Sequence, residues 1–157
     1  MEPAAPLRIV SGGQTGVDRA ALDVALSLGI PCGGWCPRGR LAEDGPIPSR
    51  YPLAETPTGR YPQRTAWNVR DSDGTLVLHA GRPRGGTALT LRLLARERKP
   101  TLQVDLDAAP DPGALARWMA AGAIRVLNVA GPRESECPGV GRRAKQFLES
   151  ALGPVKK

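Results

Sequence analysis

No lysine precedes Lys99 in this 157-residue chain, a single histidine occurs, and cysteine is limited to three residues. Each shortage removes a class of function. A Walker-type phosphate loop ends in Gly-Lys-Ser/Thr, so the absence of early lysine excludes one from the glycine turns of the N-terminal half. Cys32, Cys36, Cys137 and His79 do not make a zinc set by spacing, so no metal site is expected, and no serine or cysteine elbow of the hydrolase type is present. Three cysteines cannot staple a domain of this size, and the odd number suits a reducing compartment. Aromatic residues make up 4%, which leaves few stacking platforms for single-stranded nucleic acid. No apolar run approaches the roughly 20 residues of a membrane span. The segment Met1–Pro6 is acidic and runs straight into a strand-like stretch, which predicts no secretory signal. These exclusions leave a soluble cytoplasmic protein.

What is present is globular composition: 41% hydrophobic and 24% charged residues, enough for one domain with its own core over residues 1–157. The net charge is +7, and only four of the 22 basic residues are lysine. Arginine suits planar, bidentate contact with phosphate or carboxylate. The arginines are scattered rather than clustered, which favours an anionic small molecule over nucleic acid as partner.

The apolar periodicity predicts alternating strands and helices. Arg8–Ser11 reads as a buried strand ending in Gly12-Gly13, and Val17, Ala20, Ala21, Val24, Ala25 and Leu28 fall on one helical face. Ile30–Cys36 reads as a second strand and Thr75–Ala80 as a third. Gly85–Lys99 is a helix ended by Pro100, and Leu102–Leu106 a fourth strand. Asp111-Pro112 opens a short helix as N-cap and first residue, ended by Gly122. Ile124–Val129 is a fifth strand, and the last helix carries Val140, Ala144, Phe147, Leu148 and Ala151 before Gly153-Pro154. This alternation predicts an α/β fold: one Rossmann-like, doubly wound, mainly parallel five-stranded sheet. Residues 37–74 interrupt it with six prolines and one helical stretch, Pro62–Val69. Long irregular connections in compact domains are uncommon and usually functional, so an ordered cover over the sheet is expected.

In open parallel sheets the ligand lies beyond the carboxyl ends of the strands. Three turns sit there. Ser11-Gly12-Gly13-Gln14-Thr15-Gly16 joins a strand to a helix start, where free amides and the helix dipole favour an anion. The dinucleotide fingerprint wants an acid about 20 positions on, but Trp35-Cys36-Pro37-Arg38 stands there, which argues against an ordinary NAD site. Thr15 and Asp18 have the spacing of a reciprocal N-terminal cap, and Arg19 follows them. The second turn is Gly81–Thr87, where Gly85, Gly86 and Thr87 open a helix beside Arg82 and Arg84. Two such cradles at neighbouring strand ends would suit an extended or doubly charged anion. The third, Ala130–Gly139, offers Arg133 and Ser135 to an anion and Glu134 to N–H or hydroxyl groups.

Longer motifs carry a family resemblance. Ser11–Asp23, Gly33-Gly34-Trp35-Cys36-Pro37-Arg38-Gly39-Arg40, Ala42-Glu43-Asp44-Gly45, Tyr51-Pro52-Leu53 with Glu55-Thr56, Arg64-Thr65 with Asn68-Val69, Asp71–Thr75, Gly85-Gly86-Thr87 and Asn128–Ser135 resemble the "putative molybdenum carrier" family over residues 8–150. The resemblance implies a Rossmann-like fold related to lysine-decarboxylase-like and cytokinin-activating phosphoribohydrolase proteins. It implies binding of molybdenum cofactor, a pterin with a terminal phosphate, by homo-oligomers, and in the wider superfamily binding of nucleotide-derived ligands at the same strand ends. The related hydrolases carry Pro-Gly-Gly-x-Gly-Thr-x-x-Glu with a catalytic glutamate. This chain reads Arg84-Gly85-Gly86-Thr87-Ala88-Leu89-Thr90, without the acid.

The leading expectation is therefore a carrier, a dimer or tetramer, that holds the phosphate of molybdenum cofactor or a nucleotide. The expected ligand-binding residues are Gly12, Gly13, Gln14, Thr15, Gly16, Arg19, Trp35, Arg38, Arg64, Asn68, Gly85, Gly86, Thr87, Arg133, Glu134 and Ser135, with Arg82 as a further neutralising charge. The 37–74 segment would cover the ring, with Trp35 or Trp67 stacking on it. The rival is a hydrolase of a nucleoside monophosphate or an ADP-ribose-like ligand, with Glu134, Asp73 or Asp71 activating water. A nucleic-acid module rests on net charge and fold kinship alone.

Overall fold

The computed structural model describes residues 7–153; the N-terminal acidic segment and Pro154 lie outside the described residues. Among the described residues nine strands and five helices follow in the order β1 (Arg8–Val10), α1 (Val17–Leu28), β2 (Cys32–Gly33), β3 (Trp35–Cys36), β4 (Leu41–Ala42), β5 (Gly45–Pro46), β6 (Ala54–Glu55), α2 (Tyr61–Arg70), β7 (Gly74–His79), α3 (Gly85–Glu97), β8 (Thr101–Asp105), α4 (Gly113–Gly122), β9 (Val126–Ala130) and α5 (Val140–Leu152). Five of the strands form one sheet in the order β2-β1-β9-β7-β8, with every pairing parallel.

Alternation along the strands assigns the two faces. Ile9, Leu76, Leu78, Leu127 and Val129 point to the side covered by α1, α4 and α5, where they pack against Val17, Ala21, Val24, Leu115, Ala144 and Leu148. Val77 points the other way, to Val69 of α2 and Leu94 of α3. Helices therefore lie on both faces, as in doubly wound α/β proteins. No helix among the described residues is long and apolar enough to cross a membrane.

The expected second strand, Ile30–Cys36, is broken in two. Gly34 adopts φ +125°, and a Cβ there would overlap the Ser11 backbone. The chain therefore leaves the main sheet after Gly33, and β3 pairs instead with β6 in a separate two-stranded ribbon. The reciprocal Thr15–Asp18 cap is not made: Gly16 occupies the cap position of α1 with no side-chain cap bond, because both side chains have tertiary partners. At α4 the helix starts one residue later than expected, at Gly113, although Asp111 Oδ1 still accepts from the Gly113 amide at 2.9 Å.

Between Pro37 and Gly74 the chain builds a β4–β5 hairpin, β6 and α2. Cys36, Ile47 and Tyr51 bury against Leu22 of α1 as a small second core. Arg40 organises this segment from within, its guanidinium donating to the carbonyls of Ile47, Pro48, Tyr51 and Leu53.

Candidate functional site

All main-sheet strands run the same way, so the turns after β1, β7 and β9 collect at one edge. The β1 and β7 ends are not adjacent, as the sequence reading had them; β9 runs between them, and its loop separates the two glycine turns. The space enclosed is a cleft of ≈ 220 Å³, walled by α2, the first turn of α3 and the loops after β1 and β9.

Most amides of the β1 turn are taken up by the protein itself. The Gly13 amide donates to Ser11 Oγ at 3.4 Å, Gln14 N–H to Asp18 Oδ2 at 3.4 Å, Thr15 N–H to Gln14 Oε1 at 3.1 Å and Val17 N–H to Pro132 O at 3.2 Å. A carboxylate thus sits where an incoming anion was expected. Asp18 is itself paired with Arg64 of α2, Nη1 to Oδ2 at 2.9 Å. Burial raises the Asp18 pKa, opposed by Arg64, the Gln14 amide and Arg19. The Arg64 guanidinium lies against Gly12, where any Cβ would overlap it. Gly16, at φ +78°, is needed for a similar reason: the backbone of Pro132, Arg133 and Glu134 crosses its α-carbon.

The α3 end is different. Thr87 and Ala88 donate back to Arg84 O, while the amides of Gly85 and Gly86 make no hydrogen bond among the described residues. Thr87 is 3% exposed, lines the cleft, and its Oγ1 has no hydrogen-bond partner among the described residues. A buried hydroxyl left unpaired costs about 1–3 kcal/mol and calls for an explanation. Thr90 is satisfied locally, donating to Gly86 O at 2.9 Å. Across the cleft, Arg133 Nε lies 2.8 Å from Glu136 Oε1 and 3.5 Å from Glu43 Oε2. Its N–H is buried yet finds no aligned acceptor. Tyr61, Pro62 and Leu89 supply an apolar mouth, and Asn68 and Asn128 part of the floor.

The expected site residues thus divide. Gly12, Gln14, Arg64, Asn68, Gly86, Thr87 and Arg133 line the cleft, and Gly85 borders it through Glu136. Asn68 is also a splint, its amide bonding both the N–H and the C=O of Trp35. Gly13 is filled from behind by Ile47 and Leu53. Thr15, Gly16, Arg19, Glu134 and Ser135 face a second groove of ≈ 780 Å³ between α1 and α5. There Arg19 pairs with Asp44, and Glu43 accepts from Thr15 Oγ1 and from Ser135 Oγ and N. Desolvation opposes ionisation of Glu43, but the Ser135 and Thr15 donors and Arg133 outweigh it and lower its pKa.

Other expected residues lie outside both depressions. Trp35 packs edge-on against Trp67, centroids 4.7 Å apart, and donates from Nε1 to Asp71 at 2.8 Å, so these rings contact each other rather than the cleft. Arg38 and Arg82 are exposed and line neither depression. Of the carboxylates considered for activating water, Glu134 accepts from the Gly139 and Gly141 amides at the start of α5. Asp73 precedes β7 at the opposite end of the sheet, accepting from the Arg125 and Val126 amides at 3.0 and 2.8 Å. Asp71 is bound to Arg70 and Trp35. Residues not anticipated at the cleft are Tyr61, Leu89, Asn128 and Glu136. Asn128, a polar residue midway along an otherwise apolar strand, carried the one available signal.

Comparison with known proteins agrees with this fold. The model of the "Circularly permutated YpsA SLOG family" matches residues 9–152. A crystal structure of a "Putative molybdenum carrier protein" from Syntrophus aciditrophicus SB, determined at 1.45 Å resolution, is similar at 46% identity, covering 97% of this chain and 98% of that one, with a TM-score of 0.90. No curated protein matches the chain.

Proposed function

The chain belongs to the circularly permutated YpsA SLOG family, and on that premise we propose that it is a carrier for a phosphate-bearing heteroaromatic ligand, molybdenum cofactor first among them. The similar structure is named a molybdenum carrier, and the cleft's own chemistry supports a phosphate-bearing cargo. One observation carries the reading: the buried, unpartnered Thr87 hydroxyl stands beside two free amides at the positive end of α3. A phosphate there would accept from Thr87, Gly85 and Gly86, with Arg133 opposite. Each charge-assisted hydrogen bond would contribute about 1.5–3 kcal/mol. Tyr61, Pro62 and Leu89 would take the ring at the mouth, a role the sequence had given to Trp35 or Trp67.

The β1 turn enters this proposal as scaffold rather than as a second phosphate cradle. Its Gly13, Gln14, Thr15 and Val17 amides are bonded internally, and Arg64, though cationic, is already matched by Asp18. We further assign the protein to the cytoplasm as a homo-oligomer; its three free cysteines suit a reducing compartment. Calorimetric titration with molybdenum cofactor and with nucleoside monophosphates tests the reading. Saturable binding of at least one phosphate-bearing ligand, with competition by inorganic phosphate, is expected. No saturable binding by any of them would overturn it.

A further inference from the structure

We propose that Glu136 is an internal competitor for the anionic tail of the ligand: a carboxylate that holds the anion position and weakens binding of every anion by having to swing out. The inference rests on the reading of the cleft as a phosphate site.

Three observations meet at this side chain. Its Oε1 lies 2.8 Å from Arg133 Nε. Its carboxylate also lies over the start of α3, where a Cβ on Gly85 would come within 3.1 Å of Oε2 and 3.6 Å of Oε1. It therefore contacts the cation and the positive helix end that an entering anion would need. Yet it satisfies neither fully. The buried Arg133 Nε–H has no aligned acceptor, and Thr87 Oγ1, 3% exposed in the same cleft, has none at all. Glu136 supplies the charge of an anion without its hydrogen bonds.

This arrangement sets a cost that every entering anion must meet. The cleft's two arginines are already balanced, Arg64 by Asp18 and Arg133 by Glu136, with Glu43 also 3.5 Å from Arg133. A singly charged tail, such as a phosphodiester or a carboxylate, would exchange one unit of negative charge for another and gain little electrostatically. A phosphate monoester carries about −1.5 to −2 charges at pH 7 and three acceptor oxygens. It brings the additional charge to Arg133 and the α3 terminus, and it has enough oxygens to reach Thr87 as well. Glu136 stands on the loop after β9 and is exposed, so it has solvent to move into when displaced. Glu43, held by Thr15 and Ser135, stays behind to keep Arg133 in place.

The test uses two ring systems, adenosine monophosphate and 6-hydroxymethylpterin phosphate, each with its methyl diester, titrated into wild-type protein and Glu136→Gln. Wild type is expected to favour the monoester at least about tenfold, as one added charge near an arginine would give. In Glu136→Gln both esters should bind about tenfold more tightly with the ratio between them little changed, because the carboxylate displaced is the same for either. Thermal melts of Glu136→Gln and Glu136→Ala within a few degrees of wild type would show that the fold is intact. Unchanged affinity for both esters in a folded Glu136→Gln removes this role for Glu136 and leaves the phosphate reading standing. Failure of both monoesters to bind wild type removes that reading, and this inference with it.

Discussion

Arg64 of α2 and Asp18 of α1, 46 residues apart in sequence, meet at 2.9 Å with both side chains about nine-tenths buried. This pair ties the segment that walls the cleft to the first crossover helix. The guanidinium lies against Gly12, so the turn, the helix and the wall are positioned together.

Removing one partner of a buried pair leaves the other charge without compensation. Arg64→Ala should lose about 3–5 kcal/mol of stability at pH 7, measured by urea unfolding. The pH dependence has a definite sign. Burial already raises the Asp18 pKa above its unfolded value, so its contribution is most favourable below the ordinary carboxylate pKa near 3.9 and is lost as pH rises through the folded value. Without Arg64 that value climbs further. The deficit of the variant relative to wild type should shrink on moving from pH 7 toward pH 5.

Thr87→Val separates binding from stability. The hydroxyl has no internal partner, so an isosteric methyl removes a buried polar cost and should leave stability unchanged or raise it by up to about 1 kcal/mol. Affinity for a phosphate-bearing ligand should fall about tenfold or more in the same variant, read by calorimetry. A purely structural threonine would move the two quantities together.

Gly16→Ala tests why the β1 turn is glycine-rich. With φ at +78° and the Pro132–Glu134 backbone crossing its α-carbon, a methyl group is strained and crowded at once. A loss of about 1–3 kcal/mol is expected in chemical denaturation, even without ligand.

Asp73 serves the fold at the end of the sheet remote from the cleft. The Val126 and Arg125 amides hold its carboxyl below the usual range. The resulting stability is present above the unfolded carboxylate pKa near 3.9 and disappears as pH falls through the lowered folded value. Asp73→Ala should cost about 1 kcal/mol at pH 7 for so exposed a group, and less near pH 3, with ligand affinity at pH 7 unchanged.

The helices of this fold were legible because their apolar residues recur at 3.6-residue spacing, and α1, α3 and α5 lie within two residues of where that spacing puts them. The five parallel strands were legible for a related reason: each is a short apolar run before a turn. The order of the strands was not, because nothing local places β9 between β1 and β7. The break at Gly34 was also hidden, since it arises from a close approach of the Ser11 backbone rather than from anything in Ile30–Cys36. At the cleft, the Gly85-Gly86-Thr87 start of α3 was visible as a glycine turn beside hydroxyl and arginine. The closure of the β1 turn was not, because a glycine turn reads alike whether an outside anion or its own Asp18 fills it. Arg64 was foreseen as a charge for the ligand, but its partner comes from a distant helix that only the fold brings near. Trp35 and Trp67 drew attention as aromatics and turned out to pack on each other, while Tyr61, one turn before Arg64, reaches the cleft.

The central claim is that the cleft grips its ligand through a phosphate at the start of α3. Titration of wild-type protein with 6-hydroxymethylpterin phosphate and with its dephosphorylated parent tests this directly. The account predicts that losing the phosphate weakens binding by about a hundredfold, as the removal of two charge-assisted hydrogen bonds would. Equal affinity for the two compounds would contradict it.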